Sequence, residues 1–209
     1  MKIGILGGTF NPIHTGHLIL AENAYEFMGL DQVLFIPSGV SYLKDMNEIL
    51  PAHHRLKLVE LAIASNPHFA LSTIETDRKG NSYTYETLKE LKAQNPDAEL
   101  YFICGADVMM SIHTWKEPAT ILKYASLVVA PRNDTDPDLM NRQKEALAGD
   151  FQAKVYILNT AELDISSSMI RDRLIHKKSV RYYLPDPVIA YIQEHKLYES
   201  ETVSEKEQE

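Results

Sequence analysis

The chain has 209 residues, 44% of them hydrophobic and 24% charged, with a net charge of −8 and a pI near 5.5. That length allows one sizeable core, the composition is ordinary for a soluble globular protein, and the acidic balance argues against a protein that coats nucleic acid, though not against a nucleotide substrate, whose pocket can oppose the global sign. The single cysteine, Cys104, excludes an internal disulfide and suits a reducing compartment, and no segment reads as a signal peptide or membrane span, so a cytoplasmic protein without membrane contact is expected.

In chain order, the first apolar run, Ile3 to Leu6, reads as a strand that leads into G-G-T-F-N-P-I-H-T-G-H, residues 7 to 17. Gly7 and Gly8 carry no side chain, so the backbone can turn sharply and let a phosphate approach its N–H groups. A helix beginning near Gly16 and His17 aims unpaired N–H groups and a positive dipole end at the same spot, with His14 and His17 flanking it as hydrogen-bonding groups. This helix is expected to run from about His17 to Met28, with Leu18, Ala21, Tyr25 and Met28 in the core and Gly29 as a left-handed cap.

Further strands are expected at Val33 to Pro37, Phe69 to Ser72, Leu100 to Cys104, Leu127 to Ala130 and Val155 to Leu158. Most are continuous apolar runs, as in parallel strands covered on both faces. Helices are expected after Pro51 and up to Asn66-Pro67, from Thr84 with that residue as N-cap, over Pro137 to Ala148, and from near Ser167 and near Pro185. The alternation points to an α/β protein with a Rossmann-like, doubly wound parallel sheet and helices on both faces. Residues 1–198 are read as a single domain and residues 199–209 as an acidic, mobile tail. The dinucleotide fingerprint G-x-G-x-x-G and the P-loop G-x-x-x-x-G-K-[ST] are both absent from the sequence.

A second phosphate element is I-S-S-S-M-I-R, Ile165 to Arg171: Ser166, Ser167 and Ser168 open a helix, and Arg171 lies one turn on, able to fork onto phosphate oxygens. With this segment and T-F-N-P-I-H-T-G-H, the chain resembles the T/H-x-G-H nucleotidyltransferases. Through G-N-S-Y-T-Y-E-T-L (80 to 88), C-G-A-D (104 to 107), H-T-W-K (113 to 116) and L-P-D-P-V-I-A-Y-I-Q-E-H-K-L-Y (184 to 198), it is similar to their bacterial nicotinate-nucleotide adenylyltransferase branch. Related enzymes acting on phosphopantetheine, nicotinamide mononucleotide or glycerol phosphate share Thr9, His14, His17 and the serine helix start but not the 82–88 segment with Trp115. A nucleotide-sensing regulator is disfavoured by the intact histidines and Arg171. Class I aminoacyl-tRNA synthetases need added domains for which this chain lacks the length.

The resemblance implies transfer of the adenylyl group of ATP to nicotinic acid mononucleotide, giving deamido-NAD and pyrophosphate. It implies His17 and His14 as the catalytic pair, and an ATP site of Gly8, Thr9, Phe10, His14, His17, Gly105, Asp107, Ser167, Ser168 and Arg171. For the mononucleotide it implies Lys44, Tyr83, Thr84, Trp115 and Arg132, with the indole stacking on the pyridine ring. Mg²⁺ is expected to arrive with ATP and to take few protein ligands, and a homo-oligomer is an expectation carried by relatives. Three positions depart from the family: Ser168 stands where threonine is usual, Asn133-Asp134 follow Arg132 where Pro-Gly is usual, and G-V-S-Y-L-K-D (39 to 45) replaces P-P-H-K. The preference for the acid over the amide mononucleotide is not legible in spacing.

Overall fold

The computed structural model describes residues 1–39, 49–131, 136–160 and 164–199. Strand β1 (Lys2–Gly8) is followed by helix α1 (Thr15–Met28), then β2 (Gln32–Pro37), α2 (Ala52–Ile63), β3 (Phe69–Leu71) and α3 (Thr84–Gln94). The second half continues with β4 (Glu99–Gly105), α4 (Ala106–Ser111), a 3₁₀ turn (Ile112–Thr114), α5 (Pro118–Tyr124) and β5 (Ala125–Ala130). It ends with α6 (Pro137–Phe151), β6 (Val155–Ile157), α7 (Ser167–Ile175) and α8 (Asp186–Glu194). Residues 200–209, expected as a mobile tail, lie outside the described residues, as do Lys44 and Arg132.

The six strands form one sheet in the order β3-β2-β1-β4-β5-β6, every pairing parallel. Because successive side chains of a strand point to opposite faces, the apolar runs feed two cores. Ile3, Ile5, Phe102, Leu127 and Val129 pack on one face against α3 to α6, through residues such as Leu88, Met109, Ile121 and Leu147. Val33, Phe35, Ile103 and Val128 pack on the other against α1, α2, α7 and α8, through Ala24, Leu58, Ile170 and Val188. This is the doubly wound sheet expected from the strand spacing. The order reverses between β1 and β4, and a ligand crevice belongs at the carboxyl ends of those strands.

Most element boundaries agree with the sequence to within one or two residues. Gly29 caps α1 at φ 57°, its N–H reaching the carbonyls near the helix end. Cys104 is buried, and burial, followed by the neighbouring charge of Asp107, pushes its thiol well up, which fits a structural residue. The sequence reading missed α4 and α5. It also set the cap of α3 one residue late: Tyr83 is the N-cap, in extended conformation, and Thr84 is the first helical residue. No described helix is long and apolar enough to cross a membrane.

Candidate active site

The carboxyl end of β1 carries the chain into the 9–14 loop, and three distant side chains hold that loop through its own carbonyls. Arg55 Nη1 donates to Thr9 O at 2.9 Å, Arg171 Nη1 to Asn11 O at 3.0 Å, and Ser167 Oγ to Pro12 O at 2.8 Å. The Asn11 side chain is fixed as well, its Oδ1 accepting from Leu50 N–H at 3.2 Å and Tyr198 O–H at 2.9 Å. Thr15 then ties the start of α1 to the carbonyls of Tyr182 and Tyr183. With its carbonyls engaged elsewhere, the loop offers a phosphate peptide N–H groups instead of oxygen lone pairs.

The openings of α1 and α7 therefore converge. Ser167 and Arg171, expected to grip phosphates, bond directly to the loop, and Ile165 lies beside Gly16. Arg171 spends one Nη1 bond on Asn11, leaving further guanidinium N–H groups for an anion. Ser166 Oγ caps α7 by accepting from Met169 N–H at 3.2 Å, and Ser168, exposed, lies 3.1 Å from Ser166 Oγ.

His14 and His17 stack, ring centroids 3.6 Å apart, and the His14 N–H donates to His17 Nδ1 at 3.2 Å. An Nδ1 that accepts leaves the proton of a neutral ring on Nε2, which makes Nε2–H of His17 the donor. Burial lowers the His14 pKa to about 4, and burial with the adjacent His14 charge holds His17 well below its ordinary 6.5. Both are thus neutral near pH 7 in the ligand-free protein. His14 Nδ1 is buried beside Gly16 in the first turn of α1 and has no hydrogen-bond partner among the described residues. Phe10 does not line the crevice. It is buried at φ 48°, its ring edge-on to His17 at 5.0 Å and against Phe35, so it backs the His17 imidazole from inside the core.

Two cavities share this end of the sheet, with Gly7, Phe102 and Trp115 lining both. The larger, about 450 Å³, is lined by His14, Gly16, His17, Gly105, Asp107, Ser166 and Ser167 among others. The smaller, about 200 Å³, has Gly8, Thr9, Ser38, Glu75, Tyr83 and Thr84 in its wall, with Lys116 beside Trp115. Gly7 is exposed, and a Cβ there would meet no protein atom within 4 Å, so the expected close approach of a ligand is open. Trp115 is partly buried, packs edge-on against Phe102 of the core at 6.3 Å, and lines both cavities.

The smaller cavity brings in residues that the sequence reading did not single out. Glu75 accepts from Thr87 Oγ1 at 2.8 Å and from the Gly39 backbone; burial raises its carboxyl, while these hydrogen bonds and Arg78 pull the other way. Its own carbonyl accepts from Ser82 Oγ at 3.3 Å, and a Cβ on Gly39 would sit 2.3 Å from that carbonyl, so only glycine fits there. Ser38 Oγ is buried and unpartnered among the described residues. Lys116 Nζ lies 4.0 Å from the centroid of the Tyr83 ring. Glu75 follows the third strand, where the rule placing ligands at carboxyl ends of strands could have flagged it. Lys116 is the residue after Trp115.

A family model described as cytidylyltransferase-like matches residues 5–173. A probable nicotinate-nucleotide adenylyltransferase of Lachnoclostridium phytofermentans is 42% identical over 197 residues, covering 94% of this chain and 98% of the relative. One from Dehalococcoides mccartyi is 44% identical over 200 residues, 95% and 97% of the two chains. Among solved structures, the nicotinic acid mononucleotide adenylyltransferase of Plasmodium falciparum complexed with NaAD superposes with a TM-score of 0.78 at 22% identity, covering 94% of this chain and 97% of that one. At that identity the likeness bears on the fold alone.

Proposed function

The chain belongs to the nicotinate-nucleotide adenylyltransferases of the cytidylyltransferase-like family, and from that membership and the site geometry we propose how it joins ATP to nicotinic acid mononucleotide, giving deamido-NAD and pyrophosphate. The observation that supports the residue-level reading best is the convergence of the two helix openings on one crevice, with Trp115 on the wall between that crevice and a second, smaller cavity. ATP occupies the larger cavity and the mononucleotide the smaller.

The acceptor's 5′-phosphate oxygen is already anionic, so it attacks the α-phosphorus without a general base, and the α–β bridging oxygen leaves with pyrophosphate. The protein's work is to hold two polyanions in line and to stabilise charge in the transition state. His17 Nε2–H donates to the α-phosphate oxygens. His14, in the wall of the same cavity, assists there or at the β-phosphate. A bound triphosphate raises the basicity of both rings and makes them stronger donors. Ser167, Ser168 and the spare N–H groups of Arg171 take the β- and γ-phosphates, over the Gly8-Thr9-Phe10 turn. Gly105 and Asp107, at the end of β4, take the adenosine and its ribose hydroxyls.

The nicotinate ring stacks on Trp115, with its carboxylate at the α3 start formed by Tyr83 and Thr84. Lys44 and Arg132 complete the mononucleotide site in this reading. Mg²⁺ enters as part of the ATP substrate and neutralises phosphate charge. Asp107 is the carboxylate in the wall of the larger cavity, and no group of three or more His, Cys, Asp or Glu among the described residues is placed to hold a metal ion. The test is incubation with ATP–Mg²⁺ and each of nicotinic acid mononucleotide, its amide and phosphopantetheine, reading pyrophosphate. Release with the acid mononucleotide is expected, and release only with another acceptor overturns the assignment.

A further inference from the structure

Arg55 is among the largest of the fully buried side chains of the described residues, only 2% exposed, and a buried guanidinium is costly unless something requires it. No carboxylate pairs with it among the described residues. Its donors go to backbone carbonyls, Nε to Leu50 O at 3.0 Å and Nη1 to Thr9 O at 2.9 Å. Thr9 lines the smaller cavity, and the next residue is Phe10, whose φ of 48° is unfavourable for a residue with a Cβ. The Phe10 ring abuts His17. A continuous chain of contacts thus runs from a buried cation through one carbonyl and one strained residue to the catalytic imidazole.

We propose that Arg55 is a positioning residue for the triphosphate, holding the Thr9 carbonyl from behind so that the loop keeps its phosphate-binding shape and lending that loop a positive charge. Two features set this role apart from core filling. A hydrophobic residue of similar volume would suit the apolar surroundings supplied by Leu58 and Val59 better, yet a charge is present. Among the described residues that charge also has no carboxylate partner, so a bound polyanion would supply one, which links its cost to ligand binding. Strain at Phe10 persists only while the neighbouring peptides are fixed, and Arg55 fixes the one before it.

This inference rests on reading the 9–14 loop as the triphosphate site, so the experiment uses a probe that needs no acceptor: inorganic tripolyphosphate, titrated calorimetrically into the full chain. Arg55→Met should bind it at least tenfold more weakly and raise KM for ATP by a similar factor, with a distinctly smaller rise in KM for the mononucleotide, whose cavity Thr9 also lines. Arg55→Lys keeps the charge and can reach one carbonyl, and should recover most of the loss. If the Met variant does not fold, Arg55→Gln, which retains a donor and drops the charge, is held to the same thresholds. Wild-type tripolyphosphate affinity alongside a lowered Tm, or an equal rise in both KM values, overturns the proposal. A wild type that fails to bind tripolyphosphate removes the loop reading itself, whereas failure with every acceptor but intact tripolyphosphate binding removes only the acceptor assignment.

Discussion

The two sides of Trp115 are built in opposite ways. On the phosphate side, the hydrogen bonds that shape the loop reach across 155, 160 and 187 residues of sequence, from Ser167, Arg171 and Tyr198, beside nearer ones of 46 and 39 residues from Arg55 and Leu50. On the mononucleotide side the shaping bonds are short-range, 12 residues from Thr87 to Glu75 and 7 from Ser82 to Glu75. The first region forms only when both ends of the chain are in place, and in the proposed mechanism it pre-arranges dipoles for charge that develops during reaction. The second is a local clasp with partly buried walls, suited to choosing a ligand. Changes on the phosphate side should therefore fall on kcat and ATP, and changes on the other on KM for the mononucleotide.

His17→Ala breaks this comparison most severely if it holds. Loss of a pre-organised donor at developing charge costs about 10²- to 10³-fold in kcat, and pyrophosphate release should fall by at least that much. Because the imidazole of His17 contributes little to either core cluster, Tm should stay within a few degrees. Turnover near that of wild type would place the chemistry elsewhere.

Acid is the next lever, and it acts on the same side. His14 is held at about 4 against 6.5 in the unfolded chain, and His17 shifts in the same direction, so between these values the unfolded state binds more protons. The neutral rings contribute stability that is complete above pH 6.5 and is lost as pH falls toward 4. For His14 alone the loss is on the order of 3 kcal/mol. A Tm series from pH 7.5 to 4.5 should slope downward below 6.5, more gently in His14→Asn, while saturating tripolyphosphate should flatten it. An unchanged slope in the variant would assign the acid sensitivity to other groups.

Legibility in the sequence followed the same division. The phosphate motif is contiguous, so its residue types announce an anion site, and the doubly wound parallel sheet, though not its strand order, followed from apolar runs at the right intervals. What could not be read was the use of each donor: backbone carbonyls carry no letter, so Ser167 and Arg171 could be matched to phosphates but not to Pro12 and Asn11. The burial of the Phe10 ring could not be read either, because its side-chain direction depends on a left-handed φ that its letter does not suggest. Helices α4 and α5 escaped because six or seven residues are too few to display a helical period. Glu75 escaped because a lone acid after a strand looks like any solvated loop residue until its partners are in place.

Trp115→Ala tests the mononucleotide side directly. Removing an indole that lines both cavities should raise KM for nicotinic acid mononucleotide about tenfold, near 1.4 kcal/mol, and KM for ATP by much less. Equal effects on both substrates, together with a drop in Tm, would make the indole a shared wall and not a stacking platform.

The smallest effect is expected from Thr87→Val, which removes one hydroxyl from the clasp while keeping its shape. Thr87 is buried and donates to Glu75 at 2.8 Å while accepting from Arg78 Nη1 at 3.1 Å. Without it the Glu75 carboxylate keeps the Gly39 N–H and the nearby Arg78 charge but loses its side-chain donor, a deficit of about 1–2 kcal/mol. Since Gly39 is held against the Glu75 carbonyl with no space for a Cβ, the loosened carboxylate should let the end of β2 shift relative to α3. The expected result is a Tm lower by several degrees and a two- to fivefold rise in KM for the mononucleotide, with kcat and KM for ATP unchanged. A matching rise in KM for ATP would mean that the local clasp and the long-range crevice are one mechanical unit, and the division between the two sides of Trp115 would fail.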